Sequence, residues 1–382
     1  MSAAAGRILS PQFLLLWAGA FTFFLSFYLL LPALPLYARG LGIPESLIGL
    51  IIGVFAVSSM LVKPVAGWAA DRFGRRPLML AGAALFLAAS LLYGVSRTAI
   101  ALLGVRLLHG AGMGLYPTGS AAMVADLAPA ARRGEILGFW GAAGNVALAL
   151  GPLIAVWLSG RLGFFWLFAI SAAVALAALA LAVVQRETLP APTAVRLGLG
   201  AMLSRRVVYP CLIVFCLMWT HGLMAAYLPL YAESQGTNPG LFFLVLALVV
   251  AAVRGYAGQV SDRLGRAPVA AIGLVLTAAA LVALAASHGP WGLVLAGALH
   301  GLGFGTAQPP LMAWTVDLVP AAERGKAMGT YYTALELGIA AGAIGSGMIL
   351  PHAGFRLLFL LTAALPAAGA ALALARVHRA RR

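Results

Sequence analysis

The sequence predicts an all-α polytopic membrane protein: twelve transmembrane helices arranged as two six-helix pseudo-symmetric bundles. Three observations predict it. The 382 residues are 63% hydrophobic and only 9% charged, against roughly 45–50% apolar and about 25% charged in a soluble domain. The apolar residues fall in runs of about 20, the length that crosses a ~30 Å hydrocarbon core. The second half of the chain repeats the first. A single soluble core stops growing near ~250–300 residues, so no water-soluble interior could hide this much apolar sequence, and a mean hydropathy of +0.99 agrees.

The runs lie at about 13–37, 47–70, 77–96, 98–117, 134–158, 164–184, 208–232, 240–261, 268–287, 291–315, 326–350 and 354–376. They are long and continuously apolar, which suits helices; barrel strands alternate over about ten residues. The first run follows Arg7 and is too long for a signal-peptide core. The 45 glycines and 21 prolines are tolerated inside membrane helices and let them approach closely.

Charge orients the spans. The chain has 25 Lys+Arg against 10 Asp+Glu, a net +15. Eighteen of the basic residues fall in loops on one side. Four (Arg39, Arg97, Arg161, Arg356) fall on the other, and Lys63, Arg106 and Arg254 lie within spans. The positive-inside rule then places both termini in the cytoplasm, in the cell (inner or plasma) membrane. The high charge is thus a topology signal, and nucleic-acid binding is excluded. The longest loop, 185–207, with Pro190 and Pro192, divides a first bundle, 1–184, from a second, 208–382. Cys211 and Cys216 match no metal or redox spacing. No metal, cofactor or oligomeric partner is expected, so the chain reads as a monomer facing lipid.

A shift of 191 residues superposes the halves. Lys63 falls on Arg254, Asp71-Arg72 on Asp262-Arg263, Gly74-Arg75 on Gly265-Arg266, His109-Gly110 on His300-Gly301, and Asp126 on Asp317. Leu34-Pro35-Leu36-Tyr37-Ala38 recurs as Leu228-Pro229-Leu230-Tyr231-Ala232 at a shift of 194. An even number of spans per half makes this a parallel repeat about an axis along the membrane normal, as expected of secondary transporters.

The loop after span 2, Gly67-Trp68-Ala69-Ala70-Asp71-Arg72-Phe73-Gly74-Arg75-Arg76-Pro77, resembles the signature loop of the major facilitator superfamily. Its echo follows span 8, from Gly258 to Arg266. Arg106 to Gly110 in span 4 is similar to the family's Arg-x-x-x-Gly motif. Gly151-Pro152 in span 5, after Gly141 and Gly144, is similar to the motif of the drug/proton antiporter branch. The resemblance covers the whole chain. It implies the major facilitator fold, and it implies that Asp71, Arg72, Gly74 and Arg75, with Asp262, Arg263 and Arg266, latch the halves in one state and release them in the other.

Ionisable residues at membrane depth cost roughly 2.5–3.5 kcal/mol on insertion scales and are functional candidates by default. Glu336 lies about ten residues into span 11, ~15 Å deep at 1.5 Å per residue. Of the ten acids it alone is placed well within a span. Tyr332 and Thr333 precede it by four and three residues, on the same helical face. Glu336 is the candidate proton-coupling acid, or the counter-charge for a cationic substrate, with Arg106 and His109 in span 4 as groups associated with coupling. Arg stays protonated, so Arg106 can bind an anion, act on a carboxylate or fasten span 4 to carbonyls, but cannot carry the proton. Asn145 maps onto Glu336 under the repeat. Asn145, Tyr332, Thr333, His221, Gln308, Tyr28, Trp219 and Tyr227 are candidate substrate-binding residues. Lys63 and Arg254 lie near the ends of spans 2 and 8, where snorkelling accounts for them.

The expected function is secondary active transport by alternating access: proton-coupled efflux of a small apolar or amphiphilic compound. The export direction follows from the resemblance of span 5. A carrier of sugars, metabolites or metallophores is the alternative, and a transport-dead sensor a more distant one. No Gly-x-x-x-x-Gly-Lys-Ser/Thr loop is present to use ATP, and no HExxH or GxSxG motif supports a membrane enzyme.

Overall fold

The computed structural model describes residues 10–129, 132–189, 203–320 and 323–380. Among these the regular structure is helical, without a strand. In order the helices are α1 (Pro11–Gly40), α2 (Glu45–Phe73), α3 (Arg75–Tyr93), α4 (Ala99–Leu127), α5 (Arg133–Leu162) and α6 (Phe164–Val183). The second six are α7 (Val208–Ser234), α8 (Gly240–Leu264), α9 (Arg266–Ala286), α10 (Gly289–Asp317), α11 (324–353) and α12 (355–380). Ten helical stretches are long and apolar enough to cross a membrane. One of the ten, Arg324–Ala375, is two spans joined at Gly354. The helix α10, diluted by its glycines and prolines, supplies the twelfth. The expected linker lies largely outside the described residues.

Local chemistry sets the ends. Ser10 caps α1, its hydroxyl accepting from Phe13 N at 3.1 Å, and Thr98 caps α4, accepting from Ala101 N at 3.2 Å. Four junctions turn on a single glycine in the left-handed region: Gly74 (φ 107°), Gly163 (φ 82°), Gly265 (φ 94°) and Gly354 (φ 65°). These fall as two pairs 191 residues apart, where a side chain would strain the reversal. The helix α4 runs on past the expected end at Pro117 to Leu127. A proline removes one backbone donor, and Thr118 donates its hydroxyl to Gly114 O at 2.7 Å within the same turn. With lipid outside and packed helices inside, the helix continues through it.

Close helix crossings also repeat. A Cβ on Gly82 of α3 would stand 2.5 Å from Tyr116 N of α4, and one on Gly273 of α9 would stand 2.6 Å from Ala307 N of α10. The apolar cores show how the halves meet. Toward the face at which the described residues begin and end, the terminal face, each half has a core of its own. One holds Leu16, Phe23, Phe86 and Tyr116; the other holds Val214, Leu274, Leu311 and Tyr331. Toward the opposite face a single core draws on both, joining Leu34, Ile48, Ile51 and Phe168 to Leu223, Leu228, Phe242 and Leu358. The molecule is therefore closed at the opposite face and divided at the terminal face.

Candidate functional site

A cavity of about 660 Å³ occupies the division. Met60, Lys63 and Pro64 line it from α2, Pro117 and Thr118 from α4, and Trp140 from α5. Lys326, Tyr332 and Thr333 face them from α11. Its size suits a small organic molecule. Trp140 is fixed by a 2.9 Å bond from its indole N–H to Ser120 Oγ.

At the inner end Glu336 is 8% exposed and ion-paired with the Lys63 ammonium across the halves. Ser59 Oγ donates to the same carboxylate oxygen at 3.4 Å. The Lys63 ammonium also lies 5.9 Å from the centre of the Tyr332 ring. Lys63 does not snorkel, as its place near a span end suggested. A buried carboxylate on the facing helix offers it a counter-charge, and the cavity gives its chain room to turn inward. The shifted repeat could not show this, because it pairs Lys63 with Arg254 and Glu336 with Asn145, never Lys63 with Glu336.

The other expected site residues fall in three places. Tyr332 and Thr333 line the cavity with Lys63. Arg106 is 4% exposed and grips α2, donating to Ile51 O at 3.1 Å and Ile52 O at 3.3 Å, with its guanidinium 4.3 Å from the Phe55 ring centre. His109 is boxed among Phe27, Phe55 and Phe86 and bonds Tyr93 OH through Nδ1 at 3.1 Å. Trp219 packs on Gly342 and Gly345 of α11, and Tyr28 packs on Gly151 of the span 5 motif, beside buried Pro152. His221 stacks on Phe304, while Asn145 and Gln308 are half-buried outside the cavity wall. Tyr227 lies at the opposite face. It sits between Gly49 and Gly347 and donates to Glu45 O at 2.8 Å, joining α7 to α2.

The opposite-face closure also uses Arg39 and Glu233, which the repeat register singles out. Arg39 pairs with Glu233 at 3.1 Å and reaches Glu45 at 4.0 Å. Arg39 and Glu233 directly follow the two copies of the Leu-Pro-Leu-Tyr-Ala repeat, so equivalent positions carry opposite charge.

The signature loops form matching clusters. Arg75 bonds Asp71 at 2.9 Å, Asp126 at 3.1 Å and Ala70 O at 2.6 Å. Arg266 bonds Asp262, Asp317 at 3.0 Å and Ser261 Oγ at 2.9 Å. These bonds stay within one half each. Arg72 stacks near Trp68 and Phe73, and Arg263 is exposed. Over the first cluster, Glu187 accepts from Arg75 N and Arg76 N, both at 3.0 Å, and Thr188 Oγ1 donates to Asp126 at 2.8 Å. Partial burial raises the Glu187 carboxyl, but the N–H groups of Leu189, Arg75, Arg76 and Thr188 outweigh it, so its pKa is lowered.

Comparison with known proteins agrees with this architecture. The quinolone resistance protein NorA of Staphylococcus aureus (strain Mu50) is 29% identical over 161 residues, 41% of this chain and 42% of that protein. A multi-drug resistance efflux pump PmrA homolog of Lactococcus lactis is 27% identical over 370 residues, covering 89% and 88% of the two chains. Among solved structures, a POT family transporter in complex with a thioalcohol-conjugated peptide superposes with a TM-score of 0.83 over 96% of both chains, at 16% identity, which speaks to the fold alone. A family model for the Major Facilitator Superfamily matches residues 16–260 and 240–382. By fold, by its paired loop clusters and by that match, the chain belongs to the Major Facilitator Superfamily.

Proposed function

We propose that the chain is a proton-coupled secondary transporter that exports a small amphiphilic compound by alternating access. The moving units are 1–184 and 208–382, joined by 185–207, with both termini cytoplasmic in the cell membrane. The observation that carries the reading is the Lys63–Glu336 pair. It is an ion pair at mid-depth between helices of different halves, at the inner end of a cavity. Ionisable groups within a span are costly and are functional candidates by default. With Glu336 ionised, the pair ties α2 to α11. With Glu336 protonated, the tie is lost and the halves are freer to rock. The relatives' names, a quinolone resistance protein and an efflux pump, support the outward direction. A second reading, a carrier of metabolites, is favoured by the lysines on the cavity wall.

The test is reconstitution in liposomes with an imposed pH gradient, using a radiolabelled quinolone as first probe. In Glu336→Gln, gradient-driven flux collapses while gradient-free exchange survives. Equal loss of both would make Glu336 a structural or substrate-binding group, and full activity would remove it from the mechanism.

A further inference from the structure

All ten Asp and Glu side chains lie among the described residues, and each has a partner. Glu45 and Glu233 face Arg39. Asp71 and Asp126 hold Arg75, and Asp262 and Asp317 hold Arg266. Glu135 pairs with Arg132, Glu323 with Arg206, and Glu187 caps α3. Glu336 has Lys63. The helix α1 contains no acid. The cavity thus presents no unclaimed carboxylate to a cationic guest. Its charged wall residues are Lys63 and Lys326. The remaining surface is mainly aromatic and apolar, from Trp140, Tyr332, Met60 and Pro117, with Thr118 and Thr333 as its uncharged polar residues.

We propose that the cavity takes an organic acid with an apolar body, and that Lys63 passes from Glu336 to the acid's anionic group when Glu336 takes up a proton. The proposal rests on Glu336 being the proton-coupling group, not on the direction of transport. Charge decides its sense. A carboxylate buried without its ammonium is unfavourable, so an anion that claims Lys63 draws a proton onto Glu336, and a proton on Glu336 frees Lys63 for the anion. Acid and proton therefore bind together and move in the same direction, in place of the exchange that the span 5 resemblance implies. They move outward when the acid is concentrated inside and inward when the pH gradient dominates.

The groups around Glu336 agree. Lys63 and Ser59 face it from α2, and Tyr332 and Thr333 share its helix. From α7, Phe215 and Met218 pack on Gly338 and Trp219 packs on Gly342, all uncharged. Arg106 of α4 is engaged by carbonyls of α2.

The experiment uses the purified full chain and two probes sharing one ring system, 2-naphthoxyacetate and (2-naphthoxyethyl)trimethylammonium, in calorimetric titrations. The acid binds and the ammonium does not. Acid affinity rises as pH falls, by up to about tenfold per pH unit for one linked proton. Lys63→Met lowers acid affinity by about tenfold or more. Glu336→Gln binds the acid at high pH as the parent does at low pH. Because Lys63→Met strands a buried carboxylate and so destabilises the fold, the paired variant Lys63→Met/Glu336→Gln and the exposed Lys326→Met carry the same prediction of weaker acid binding. Tighter binding of the ammonium, no binding of the acid, or acid affinity that rises with pH overturns the proposal. In liposomes the two readings fail separately. Gradient-driven flux of the ammonium alone sinks this proposal and leaves transport standing. Acid binding with the stated pH sign but no flux under any gradient sinks the transport reading and leaves the site.

Discussion

The two terminal-face clusters use the same three residues 191 positions apart, yet they are held differently. The Arg75 side chain is 12% exposed and the Arg266 side chain 26%. Glu187 and Thr188 lie over the first cluster; the described residues place no such carboxylate over the second. The same contrast runs through the membrane interior. Lys63 turns inward to Glu336, while its counterpart Arg254 is exposed, and the counterpart of Glu336 is the neutral Asn145. What is repeated builds the frame: reversals at glycines, close crossings, arginines between aspartates. What is not repeated makes the polar contacts that can change.

Four measurements would break or sharpen this comparison, in order of expected effect. Gly82→Val and Gly273→Val each force a side chain against backbone and should destabilise by about 1–3 kcal/mol or more, to a similar extent. Unequal losses in melting temperature would show that the frame is not mechanically equivalent in the two halves. Arg75→Ala should cost about 1–2 kcal/mol and Arg266→Ala less than about 1 kcal/mol, because the second cluster is more exposed and solvent screens it. A reversed order would remove the contrast between the clusters.

Glu187→Gln weakens the cap on α3 by about 0.3–1 kcal/mol. Its pH signature has a definite sign. The folded-state pKa of Glu187 is lowered, so its contribution is present above the ordinary glutamate range and is lost as pH falls through the lowered folded value. Melting curves of the parent and Glu187→Gln should therefore differ at neutral pH and converge in acid. The smallest effect is at the opposite face. Arg39→Glu or Glu233→Arg should shift the closed population by about 0.2–1 kcal/mol. The double exchange Arg39→Glu/Glu233→Arg should restore it, read by labelling of a cysteine placed at Ile48, which the closed face buries.

Much of the frame was legible because it is written in local and periodic signals. Hydropathy gave the spans, the 191-residue shift gave the halves, and Asp126 and Asp317 recurred in register with the loop arginines they now hold. Depth was legible for Glu336, but facing was not. Tyr227 is an aromatic in an apolar run, and only packing shows that it seals α7 against α2 rather than lining the cavity. Lys63 was invisible as a partner because it and Glu336 are 273 residues apart and belong to different copies. A repeat relates each residue to its equivalent, whereas contact across the axis relates each residue to something else.

The Arg39–Glu233 pair has a consequence for how such a molecule can be assembled. Two identical six-helix chains meeting about a twofold axis would set like against like at this position, arginine facing arginine or glutamate facing glutamate. Here the two copies occupy separate positions of one polypeptide, so each can mutate alone and acquire the opposite sign. The seal on that side of the molecule thus depends on the copies having diverged: sequence divergence lets a duplicated edge become its own complement.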